Sequence, residues 1–184
     1  MPINLPNLLT LSRIVAIPVI VAVLFFHDPL MRWIGLGLFV AAAVTDYFDG
    51  YLARHWGQVS RLGRFLDPIA DKLLVASIIV MLVATDDVRG LVVIPAIVIV
   101  CREILVSGLR EFLAEIKVPL PVSRLAKWKT AIQMIALGVL IVGEEAGPSF
   151  LPMQVIGDAG LWIAATLTLV TGYDYLARGL KHMG

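Results

Sequence analysis

Four aspartates stand where an apolar chain has least use for them. Asp46 and Asp49 are three residues apart and Asp67 and Asp71 are four apart, so each pair falls on one face of a helix. Ionisable groups inside membrane-type helices are costly and mark a functional site by default. Folding the connecting stretch back on itself brings the four carboxylates together. Unanswered, four negative charges in a low-dielectric setting repel one another or take up protons. Divalent cations resolve that conflict. The donors are hard oxygens with no histidine or cysteine among them, which favours Mg²⁺, Mn²⁺ or Ca²⁺ over Zn²⁺ or Cu.

Hard cations next to a basic stretch that holds Arg54, Arg61 and Arg64 suit a pyrophosphate substrate, because such metals clamp phosphoryl oxygens. The competing structural reading is that the aspartates form a salt-bridged cluster with the same three arginines.

The elements that must position these residues follow from composition. Of 184 residues, 59% are apolar and 16% charged, and mean hydropathy is +0.90. A soluble domain carries about 25% charged residues, so a soluble fold is excluded. A membrane β-barrel would alternate apolar and polar residues, whereas here apolar runs approach the roughly 20 residues that a spanning helix needs. The runs fall at about 8–26, 31–53, 66–84, 91–113, 126–142 and 155–177, with Gly and Pro in the breaks. The expectation is an all-α integral membrane protein with six transmembrane helices forming one domain over 1–184. Residues 2–7 are read as a short interfacial segment. The aspartate pairs then sit at the end of helix 2 and the start of helix 3.

Basic residues orient the bundle. Arg54, Arg61, Arg64, Arg110, Lys117, Arg124, Lys127, Lys129, Arg178 and Lys181 fall at one end, while Arg32 and Arg89 fall at the other. An even helix count puts both termini on the basic side, expected to be cytoplasmic. Arg13, Lys72 and Arg102 lie within helices. The net charge of +1 gives no reason to expect a nucleic-acid partner. The single cysteine, Cys101, excludes an intrachain disulfide. No base precedes the first apolar run, and Arg13 lies inside it, so helix 1 is expected to be retained and not cleaved as a signal peptide.

The string Asp46-x2-Asp49-Gly50-x2-Ala53-Arg54-x8-Gly63-x3-Asp67-x3-Asp71 resembles the full signature of the CDP-alcohol phosphatidyltransferases, with all eight fixed positions present. The resemblance extends to chain length and helix count. It implies transfer of a phosphatidyl group from CDP-diacylglycerol to an alcohol with release of CMP. It also implies Asp46, Asp49 and Asp67 as ligands of Mg²⁺ or Mn²⁺, two ions in all. Asp71 is implied as a further ligand and as the base that takes the acceptor's proton. Gly50 and Ala53 allow close approach of the nucleotide, Arg54 offers a planar fork to phosphate, and Gly63 completes the motif. Ser60 stands where the family places Ser or Thr near the cytosine, and Asn7 and Thr10 where members contact the nucleotide. Family members are commonly homodimers.

Three stretches bear on the acceptor. The runs 4–13, Arg102-Glu103 with 107–111, and 123–130 are similar to bacterial members that use glycerol-3-phosphate. Ala126 stands where Gly is expected. The implied setting is the bacterial cytoplasmic membrane, with the active site at its cytoplasmic face and the acyl chains in lipid. A buried Arg102 needs an anionic partner, and Arg110, Lys127 and Lys129 are placed at helix ends where they could surround a phosphate. The alternatives are inositol phosphate, serine or phosphatidylglycerol as acceptor. A carboxylate-based transporter is a more distant one, since it gives no reason for Gly50, Ala53, Arg54 and Gly63 at fixed offsets and expects its site at the midplane.

Overall fold

A computed structural model describes residues 5–55, 61–118 and 123–180. Among them the chain forms α1 (Leu5–Phe25), α2 (Pro29–His55), α3 (Arg61–Ala84), α4 (Val93–Glu115), α5 (Arg124–Ala146) and α6 (Met153–Leu180), with a 3₁₀ turn, Gly90–Val92, leading into α4. No strand occurs among the described residues.

Local chemistry explains the boundaries. Asp28 caps α2 by accepting from the backbone N–H of Leu30 at 2.9 Å, and Pro29 takes the first helical position, where no N–H is needed. Ser123 caps α5 by accepting from Ala126 N at 3.2 Å. The structure departs from expectation at α3, which begins at Arg61 and carries Pro68 inside it. Pro68 forfeits one backbone bond but does not start the helix. The described part of the expected interfacial segment, from Leu5, is continuous with α1.

Five helices are long and apolar enough to cross a membrane: Asn7–Phe25, Pro29–Asp46, Gly90–Glu115, Arg124–Ala146 and Met153–Gly179. α3 has 24 residues, about 36 Å at 1.5 Å per residue, but Asp67, Asp71 and Lys72 interrupt its apolar run. The molecule is an all-helical membrane protein.

One buried face of α1 shows how the bundle is layered. Asn7, Thr10 and Arg13 open it, and Ile17, Ile20 and Leu24 continue it. The lower half packs into an apolar core with Phe39, Leu74, Ile78, Leu82, Ile99, Leu137 and Leu161. The upper half is polar and faces the aspartates. α5 and α6 approach closely through small residues: a Cβ at Gly160 would lie 2.7 Å from the Ala136 Cβ.

The opposite end is tied by Arg32, which is buried. Its guanidinium donates to Asp87 at 3.0 Å, Glu145 at 3.2 Å and the Ile141 carbonyl at 3.2 Å, joining α2, the α3–α4 loop and α5. Gly143 breaks α5 here with φ 62° and ψ −171°, a region open essentially to glycine alone. A Cβ at Gly143 would also stand 3.0 Å from Arg32 Nη1. Gly143→Ala should therefore cost about 1–3 kcal/mol, read by reversible unfolding in mixed detergent. A variant as stable as the parent would show that this break is not imposed on the helix.

Candidate active site

Asp46 and Asp67 are answered by donors from α1. Thr10 Oγ1 donates to Asp67 Oδ1 at 2.8 Å, and Arg13 Nη1 donates to Asp46 Oδ1 at 2.5 Å. Thr10 and Arg13 are three residues apart and so neighbours on one helical face. A single turn of α1 therefore brings the end of α2 and the start of α3 together. Arg13 has a fully buried side chain, while that of Asp46 is 42% exposed. The carboxylate thus keeps an open side while its cation does not. Asn7 is buried one turn before Thr10, and Gly63 is buried one turn before Asp67.

Asp71 lies one turn beyond Asp67 on α3 with its side chain 37% exposed, and it accepts from Lys72 Nζ. The side chains of Asp49, Gly50, Ala53 and Arg54, and Ser60 altogether, lie outside the described residues. Asp49 follows Asp46 by three residues in α2. Among the described residues no three His, Cys, Asp or Glu side chains form a metal-holding group; Asp46, Asp67 and Asp71 supply oxygen donors of the kind a hard divalent cation takes.

The four expected acceptor cations separate into two pairs. Arg110, on α4, and Lys127, near the start of α5, are exposed. Arg102 lies eight residues before Arg110, about 12 Å along the helix. It donates to Thr171 Oγ1 at 2.9 Å, stands 5.8 Å from the Tyr175 ring centroid and lies 3.6 Å from Glu103 Oε2. Lys129 is 1% exposed and donates to Glu103 Oε1. Instead of flanking the membrane beside Lys127, Lys129 turns inward, because a residue two positions along a helix points to a different side and there meets a buried carboxylate.

Arg13, Lys72 and Glu103 were not assigned to the site from sequence. Arg13 and Lys72 carried the signal that would have found them, as cations inside apolar helices.

A helical membrane protein with oxygen donors held at one end of its bundle is the class that fold and site define. Residues 3–170 match the CDP-alcohol phosphatidyltransferase family, and the chain belongs to that family. It is 52% identical to a protein of Rickettsia bellii named CDP-diacylglycerol–glycerol-3-phosphate 3-phosphatidyltransferase, over 97% of this chain and 97% of the relative. Proteins of the same name from Cereibacter sphaeroides and Salmonella choleraesuis are 39% and 40% identical. Those matches cover 98% and 97% of this chain and 97% of each relative.

The Arg13–Asp46 pair can be weighed directly. A hydrogen bond to a charged group contributes about 1.5–3 kcal/mol, and partial exposure of Asp46 places this one at the lower end. A double-mutant cycle of Arg13→Gln and Asp46→Asn, read by unfolding in mixed detergent, should give a coupling of about 1–2 kcal/mol. Additive losses would mean that α1 does not hold Asp46.

Proposed function

We propose that this chain transfers the phosphatidyl group of CDP-diacylglycerol to sn-glycerol-3-phosphate, giving phosphatidylglycerophosphate and CMP. The observation that carries this reading is the complete eight-position string in a chain 52% identical, over 97% of its length, to a relative named for that reaction.

Asp46, Asp49, Asp67 and Asp71 would hold Mg²⁺ or Mn²⁺, two ions in all, and bound there the metal supplies positive charge to the diphosphate. The acceptor hydroxyl attacks the phosphorus that bears the diacylglycerol. The bond from that phosphorus to the bridging oxygen breaks, and CMP departs with the bond's electron pair. The hydroxyl proton passes to the Asp71 carboxylate. A carboxylate is too weak a base to deprotonate an alcohol in advance, so proton transfer accompanies attack. Arg54 contributes donors to phosphate oxygens. Asn7, Thr10, Gly50, Ala53, Ser60 and Gly63 frame the nucleotide, with Thr10 also steadying Asp67. The bundle crosses the bacterial cytoplasmic membrane six times with both termini and the site on the cytoplasmic side, as the ten-to-two distribution of basic residues favours. The homodimer common in the family belongs to the same reading.

Arg110 and Lys127, both exposed, would bind the acceptor's phosphate. A charged hydrogen bond left unmade corresponds to roughly 10- to 150-fold in affinity. Arg110→Ala should raise the KM for glycerol-3-phosphate by about that factor and change the KM for CDP-diacylglycerol far less, measured as CMP release. Equal weakening of both substrates would remove Arg110 from the acceptor site. Parent activity as high with serine or inositol phosphate would remove glycerol-3-phosphate as the acceptor.

A further inference from the structure

Lys72 is held between two carboxylates on different helices. Its Nζ donates to Asp71 Oδ2 and lies 3.2 Å from Glu103 Oε2 on α4. Adjacent residues of a helix do not face each other, so the Asp71–Lys72 contact is no by-product of helix geometry. The lysine stem must be steered to make it.

Glu103 sits on the other side of the ammonium, and it is itself anchored. Its side chain is 12% exposed, and its Oε1 accepts from the buried Lys129 of α5. Arg102 lies 3.6 Å from Oε2, fixed in turn by Thr171 and Tyr175 of α6. Three helices thus converge on one carboxylate that the transfer chemistry does not use. A lysine with one carboxylate partner keeps most of its rotamer freedom. A second, immobile acceptor removes it.

We propose that Glu103 is a positioning residue, which fixes the Lys72 ammonium so that Lys72 presents the Asp71 carboxylate to the acceptor hydroxyl. The proposal rests on the transfer reading above. It makes the buried cations Lys129 and Arg102 supports of Glu103, and leaves contact with the acceptor's phosphate to Arg110 and Lys127.

A double-mutant cycle tests it, with Glu103→Gln, Lys72→Met and the double variant assayed for CMP release and for CDP binding by calorimetry. Each single variant should keep CDP binding and the KM for CDP-diacylglycerol within about twofold and lose about 10- to 100-fold in kcat, the scale of one charged hydrogen bond. The double variant should lose no more than the worse single one, since both act through the same contact. Glu103→Asp, which keeps the charge, should recover much of the loss, and Glu103→Ala takes the place of Glu103→Gln in the cycle if that variant fails to bind CDP. A role in stability alone would lower the yield of folded protein without this kcat pattern. Additive losses, or a CDP-binding Glu103→Gln with parent kcat, would overturn the positioning role alone. A parent enzyme that releases no CMP would overturn the transfer reading as well.

Discussion

Carboxylates at the end of an apolar bundle persist only where positive charge or donors meet them, and Asp46 and Asp67 find theirs on a helix other than their own. One turn of α1 supplies both partners, Thr10 for Asp67 and Arg13 for Asp46. The rest of α1 is apolar and packs against α2 and α3 through Ile17, Ile20 and Leu24. Hydrophobic packing along the helix therefore sets the height at which Thr10 and Arg13 meet their aspartates. A shift of α1 by one turn, about 5.4 Å, would strand a buried guanidinium, which breaking a buried ion pair shows to be strongly unfavourable.

The two ends of the bundle use the same device for different purposes. At one, Arg32 joins α2, the α3–α4 loop and α5 through Asp87, Glu145 and the Ile141 carbonyl, with Trp33 donating to the Ala146 carbonyl at 3.2 Å. This fixes the helix ends far from the aspartates. At the other, Asp46 and Asp71 remain partly exposed while Arg13 and Lys129 are buried. Arg13 thus ties α1 to α2 from its buried side while the Asp46 carboxylate keeps an open one.

Much of the fold is legible in the sequence, because long apolar runs broken by Gly and Pro have few alternatives in a membrane. The end of α1 and the start of α2 are marked by Asp28-Pro29, a cap followed by a residue suited to the first helical turn. The start of α3 was not legible, since the apolar run begins at 66 while the helix begins at Arg61, in the basic stretch before it. The aspartate spacing showed which residues could act together. Their partners were beyond its reach, because Arg13 meets Asp46 only when α1 and α2 are packed at the observed height. Lys129 makes the same point: sequence shows a basic residue near a helix start, and only the approach of α4 reveals that it faces Glu103.

In the proposed reaction the aspartates would hold a hard divalent cation together with a cytidine diphosphate. Electron paramagnetic resonance of Mn²⁺ added to the purified protein measures it directly. Mn²⁺ should become protein-bound, more tightly with CDP present, and the bound signal should be lost in Asp67→Asn while the variant stays folded. Mn²⁺ that stays free in the presence of CDP, or binds equally well to Asp67→Asn, would contradict it.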